Sequence, residues 1–276
     1  LLGDEEGAAT KDWSKVNPAI FGTLFQQSMD AEERHAYGAH FTSEADILRI
    51  VNPTIVRPWQ ERIAKAATMK DILTLRNDLL GFKVLDPACG SGNFLYVAYR
   101  ELVRLEIALL AKLKESVSAK SYQEQVKALS LISPHQFHGI DRDTFGVELA
   151  KVTLMLAKKL ALDEAIATLE ATQSELPFDK DEALPLDNLD ANFICGDALF
   201  TEWPQTDTIV SNPPYQSKNK IQQELGRAYM NRVREAYPDV DGRADYCVYW
   251  FRKAHDHLKS GQRAGLVGKI GRASCR

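Results

Sequence analysis

Four short apolar runs each end on a polar residue that could do chemistry. Asp86 closes "FKVLD", Asp141 closes "FHGID", Asp197 closes "NFICGD" and Asn212 closes "DTIVSN". If the runs are parallel strands, their carboxyl ends share one edge of a sheet, where loops diverge and ligands bind at the switch in strand order. Asp86 leads into "DPACGSGNF", where Gly90 and Gly92 form a turn whose backbone can touch a ligand with no β-carbon in the way. A carboxylate at that turn attracts a cation or an amine and repels phosphate. The spacing agrees, since G-x-x-x-x-G-K-[ST] is absent and Leu95 stands where a dinucleotide fingerprint needs its third glycine.

Asp141 is placed to accept from ribose hydroxyls, and Asp197 could accept from an adenine amino group. Taken singly, each acid is more often a helix cap or a turn residue. Three on successive strand ends describe a pocket for a nucleoside with a positively charged tail. S-adenosylmethionine, with adenine, ribose, sulfonium and an amino-acid head, has that form.

"SNPPY", residues 211 to 215, follows the fourth run directly. Two prolines cannot continue a central strand, so the chain must leave the sheet in a stiff, extended turn. The prolines donate no hydrogen bonds, which leaves carbonyl oxygens and the Asn212 side chain as acceptors. An exocyclic amine donating to such acceptors keeps its lone pair out of ring conjugation and aimed at a methyl donor, by positioning and electrostatics without a strong base. Tyr215 offers a flat face for a planar group.

The elements that must position these residues alternate. From Phe82 onward, strands at the four runs and at "AGLVGKI" are separated by helices predicted from Asn93 to about Lys114, over "TFGVELAKVTLMLAKKLAL" and over "DYCVYWFRKAHDHLKSG". That pattern predicts a parallel sheet with helices on both faces. The first third reads as helical. A short helix is expected between Trp13 and Arg34. Another is capped by Thr42 or Ser43 and ended by Asn52-Pro53, and a third over "MKDILTLRNDLL" is closed by Gly81. We therefore expect an N-terminal helical region over 1–80 and a catalytic core over 81–276, with Glu175 to Asp190 as a loop.

Composition sets bounds. The 276 residues carry 34 Lys and Arg against 38 Asp and Glu, a net charge of −4, which argues against a non-specific polyanion binder without excluding a local basic patch. Residues 216–234 hold such a patch, with Lys218, Lys220, Arg227, Arg232 and Arg234 against Glu224. It reads equally as a phosphate-contacting loop or a solvated helical face. Cys89, Cys195, Cys247 and Cys275 show no metal-ribbon or disulfide spacing, and no run is long and apolar enough for a membrane span, so the expectation is a cytoplasmic protein. His135 with His138, and His255 with His257, lack the further ligands a metal site needs.

At these residues the chain resembles an amino-methylating, adenine-specific DNA methyltransferase of the gamma arrangement. "DPACGSGNFL" is similar to the family's cofactor motif, "SNPPY" to its catalytic motif, and "GAHFTSEADIL" to the segment that caps the methionine end of the cofactor. "PAIFGTLFQQSMDAEERHAYGAHFTS" resembles the MmeI-like restriction-modification branch. The resemblance implies a Rossmann-like S-adenosylmethionine-dependent α/β sheet, mostly parallel, with an N-terminal helical segment. It assigns catalysis to Asn212, Pro213, Pro214 and Tyr215. It assigns the cofactor to Phe41, Thr42, Asp86, Ala88, Gly90, Gly92, Asn93, Phe94, Asp141, Asp197 and Ala198, and no metal. It implies double-stranded DNA as partner, and a flipped base, because a stacked amine cannot reach a buried methyl donor.

Departures from the family pattern shape further expectations. No nuclease-type carboxylate pair followed by lysine is found. "KIGRASCR" resembles neither a strand nor a family motif and has the look of a reading-frame scar. The sheet is thus expected to lack its last strands, with nuclease and target-recognition domains belonging to a parent chain and DNA binding weak without them. Rival readings are methylation of an RNA base or a protein glutamine amide, a nicotinamide-dependent oxidoreductase, which the glycine spacing disfavours, and a catalytically silent module of a larger complex.

Overall fold

A computed structural model describes residues 42–116, 132–171 and 188–268. The expected helix between Trp13 and Arg34, Phe41, most of the Glu175–Asp190 loop and the "KIGRASCR" tail from its first residue lie outside them.

Ser43, not Thr42, caps the first helix, α1 (Glu44–Val51), accepting from the Asp46 N–H at 3.3 Å. The α-helix ends at Asn52-Pro53 as expected, but the chain stays helical. The chain continues through a π-helical turn, Asn52–Val56, into α2 (Arg57–Lys65), with the Arg57 N–H reaching back to the Asn52 carbonyl. The extra residue per turn accommodates the proline ring, which has no N–H to offer and would clash with an α-helical carbonyl. Helix α3 (Met69–Gly81) starts at a capping box between Thr68 and Asp71. Gly81 lies in its last turn and the extended Phe82 is the cap, so the stop expected of Gly81 belongs to its neighbour.

Five parallel strands follow: β1 (Val84–Asp86), β2 (Phe137–Asp141), β3 (Phe193–Cys195), β4 (Thr208–Ser211) and β5 (Arg263–Leu266), in the order β3-β2-β1-β4-β5. Between them run α4 (Asn93–Ser116), α5 (Thr144–Ala171), α6 (Lys218–Glu224), α7 (Gly226–Ala236) and α8 (Val248–His257). Helix α5 outruns its predicted end because "DEAIATLEA" contains strong helix formers and no breaker.

Strand residues alternate between two cores, as the period of two requires. Val84, Phe137, Phe193 and Val210 face one with α1 to α5, while Leu85, Ile140 and Ile209 face the other with α6 to α8. Residues of α1 to α3 share the first core with α4, β1 and β2. There, a buried Arg76 donates to Glu106 at 3.1 Å, and the same carboxylate accepts from the Ile132 N–H, joining α3 and α4 to the approach of β2. Among the described residues no helix is long and apolar enough to cross a membrane.

Candidate active site

The strand order reverses between β1 and β4, which makes their carboxyl ends the switch point. Asp86 sits there with 1% of its surface exposed. Its Oδ1 accepts from the Ser211 hydroxyl at 2.6 Å and from the Ala88 N–H at 3.0 Å, pinning the end of β1 to the end of β4. Burial pushes its carboxyl up to about 7, against the lowering by Ser211 and Ala88 and with a smaller push from Asp141.

The glycine turn bends as the sequence requires, with Gly90 and Gly92 at φ of 49° and 85°. A β-carbon on Gly92 would fall 3.0 Å from the Ala150 Cα of α5, so the turn is closed down on that helix. Half-buried Asp141 takes the Gly90 N–H on Oδ2 at 2.8 Å and the Asp143 N–H on Oδ1 at 3.0 Å. It ties the end of β2 to the glycine turn, and burial raises its carboxyl above the usual range. Part of its acceptor capacity, roughly four lone-pair sites in all, remains for a ligand.

Asp197 is more heavily engaged than sequence reasoning foresaw. Its Oδ1 accepts from the Leu199 N–H at 3.0 Å, and its Oδ2 from the Tyr229 hydroxyl of α7 at 2.9 Å, with the Arg142 guanidinium 3.5 Å away. Arg142 lies over the Tyr229 ring, and Tyr229 also shares a hydrogen bond with Tyr246. Helix α8 holds two rim loops from one face. Trp250 Nε1 donates to the Pro87 carbonyl at 3.0 Å, and one turn on, Lys253 Nζ donates to the carbonyls of Ala198, Leu199 and Thr201. Burial lowers Lys253 to about 8, with Asp197 opposing.

Asn212 follows β4 at once. Its Nδ2 donates to Thr42 Oγ1 at 2.9 Å, across 170 residues, while its buried Oδ1 has no hydrogen-bond partner. Pro213 is buried and Pro214 and Tyr215 half-buried. The structure thus brings Thr42, Asp86, Gly90, Gly92, Asp141, Asp197 and Asn212 to one edge of the sheet. Ala88 and Asn93 are half-buried beside the turn, whereas Phe94 and Ala198 are buried in the two cores. Sequence reasoning missed Ser211, Arg142, Tyr229 and Lys253 as parts of the rim. Only Ser211 carried a signal, by standing beside Asn212 at the end of an apolar run. No group of three or more His, Cys, Asp or Glu that could hold a metal ion occurs among the described residues.

A parallel α/β sheet with acids at successive strand ends and Asn-Pro-Pro-Tyr beside its switch point defines a Rossmann-like methyltransferase. The model of the "MmeI, DNA-methyltransferase domain" family matches residues 61–269, and the chain belongs to that family. It is 29% identical over 225 residues to DNA methyltransferase A of Bacillus subtilis (strain 168), covering 77% of this chain and 24% of that protein. It is 26% identical over 310 residues to the adenine-specific methyltransferase PglX of Streptomyces coelicolor, covering 97% and 22%. The type IIL restriction-modification enzyme MmeI, solved in complex with DNA, superposes with a TM-score of 0.76 at 27% identity, over 94% of this chain and 34% of that one. The chain thus spans between about a sixth and a quarter of the length of the curated relatives it matches.

Proposed function

We propose that this site binds S-adenosylmethionine at the carboxyl ends of β1 to β4. The methyl group then passes to the exocyclic amine of an adenine flipped out of double-stranded DNA, within a restriction-modification enzyme. The C–S bond breaks to leave a neutral thioether, the new N–C bond forms, and one amine proton goes to solvent. The observation that carries this reading is the buried, partnerless Oδ1 of Asn212, an acceptor held next to Asp86 and Ser211 at the switch point. A buried acceptor left unmatched costs about 1–3 kcal/mol, so the site is built for a donor that arrives with the substrate.

The residues fit the cofactor. The left-handed glycines open the backbone at the end of β1, Asp141 keeps lone pairs for ribose hydroxyls, and Asp86 supplies negative charge beneath a cation. At Asp197 the loosest partner, Arg142 at 3.5 Å, is the one an adenine amino group displaces. When bound, S-adenosylmethionine supplies an electrophilic methyl carbon on a cationic sulfur. The protein does the rest by placement. Asn212 Oδ1 and a proline carbonyl accept the two hydrogens of the amine, Pro213 and Pro214 bring no competing N–H, and the Tyr215 ring stacks the base. The names of the B. subtilis and S. coelicolor relatives and the DNA in the MmeI complex support DNA, and adenine in it, as the substrate.

Methyl-labelled S-adenosylmethionine offered with duplex DNA, RNA and protein tests this. Label is expected on adenine of the duplex, and N212A should lower transfer about 10²–10³-fold, as loss of one preorganised contact does elsewhere. Label in RNA or in a glutamine amide would move the substrate. Unchanged transfer by N212A would overturn the mechanism, and cofactor binding with no acceptor labelled would leave a binding module.

A further inference from the structure

We infer that Thr42 is a positioning residue for Asn212, acting on the target amine through the Asn212 amide. The inference rests on the reading of Asn212 given above. A planar amide presents its two ends in opposite directions, so the end that meets Thr42 decides which end faces away from it. With Nδ2 donating to Thr42 Oγ1 at 2.9 Å, Oδ1 must turn away, and it is this atom that stands buried without a partner. The reverse orientation would present two N–H groups to an amine that itself arrives as a donor, and the two would repel. The threonine hydroxyl accepts in the observed orientation and could donate to Oδ1 in the reverse one, where the clash with the incoming amine decides between the two; a side chain of the same shape without oxygen holds neither.

Thr42 is held firmly enough to do this. Ser43, its neighbour, caps α1, and Glu44 pairs with Arg100 of α4. Ile47 and Val51 bury the helix in the first core, and Ile50 and Thr54 pack so closely on Gly265 of β5 that a β-carbon there would fall 2.5 Å and 2.8 Å from them. From the other side, Ser211 is fixed by its hydroxyl on Asp86 and by its carbonyl, which accepts from the Val267 N–H at 2.9 Å. Asn212 is therefore gripped by its backbone through the sheet and by its side chain through α1. The residues that meet at this bond stand 170 positions apart in the chain.

The test compares T42V, T42A and T42S with the wild type and N212A in the full-length enzyme. The readouts are single-turnover methyl transfer at saturating S-adenosylmethionine, calorimetric affinity for that cofactor, and the NMR resonance of the Asn212 side-chain amide. T42V should lower the transfer rate about 10- to 100-fold, the scale of a lost positioning contact, with cofactor affinity within about twofold. Its Asn212 amide proton should move upfield, and T42S should restore both rate and resonance. Should T42V fold poorly, T42A carries the same comparison. An unchanged rate and resonance in T42V would overturn the inference, as would a loss confined to cofactor affinity, which would make Thr42 a cofactor contact. The amide resonance decides the matter even in protein that transfers nothing. If N212A itself keeps its rate, the functional reading fails instead, and the two failures are told apart.

Discussion

On the proposed reading, Asp86 should couple cofactor binding to a proton. Burial at the switch point holds its carboxyl at about 7, so near neutral pH about half the molecules carry an uncharged acid beneath the rim. A bound sulfonium favours the ionised form, so binding expels the proton and the apparent affinity follows the ionised fraction. Between pH 8 and pH 6 that fraction falls about tenfold, or about 1.4 kcal/mol of binding free energy. The same group governs the stability of the cofactor-free protein with a definite sign. Its folded-state value lies above the ordinary 3.8, so its contribution is full below about pH 4 and is lost as pH rises through about 7, by about 4 kcal/mol. Calorimetry at pH 6, 7 and 8, in buffers of different ionisation heat, counts the proton released. D86N, which keeps the shape and can still accept from Ser211 and Ala88, should bind with affinity that varies much less over this range. The ligand's own amine titrates alike in both proteins, so the difference between them isolates Asp86. Equal slopes in D86N and wild type, or no proton released, would refute the argument.

Three further outcomes follow from the same geometry. S211A removes the hydroxyl that lowers the Asp86 carboxyl, so the midpoint of cofactor binding should move to higher pH, read by the same titration. K253M strips three carbonyls of their donor and should cost about 1–3 kcal/mol of stability in chemical denaturation, with cofactor affinity falling because the Asp197 loop loosens. G92A places a side chain on a left-handed residue already close to Ala150, so it should destabilise the fold by at least about 1–2 kcal/mol and weaken cofactor binding.

Much of the rim was legible because it is local. Short apolar runs that alternate between two cores, each ending in Asp or Asn, specify both the strands and the edge proposed for the chemistry, and Gly90 and Gly92 mark the turn by their lack of side chains. Pro53 marks the end of the α-helix correctly, but the π-helical turn that carries the chain on into the next helix is a rarer solution that no residue type announces. Segment 216–234 is mostly helical, one of its two expected readings, but its basic residues are not alike. Its basic residues read as one class by charge, yet Arg232 lies over the Phe200 ring and Arg234 has its Nε and Nη2 buried without partners, because Met230 and Val233 bury the same helix in the second core.

The contacts that complete the site join residues far apart in the chain: Asn212 to Thr42, Ser211 to Asp86, Tyr229 to Asp197, and α8 to the loops after β1 and β3. None has a spacing that could be read in advance, since each is set by which strands neighbour in the order β3-β2-β1-β4-β5 and by the helix laid across them. The division has a physical cause. A strand end needs only its own neighbours to be a strand end, and so its acid can be found from sequence. Orienting an amide, or shifting the ionisation of an acid, needs groups from other layers of the fold. The parts of a methyl-transfer site that make it selective and pH-dependent are for that reason the parts a linear reading finds last.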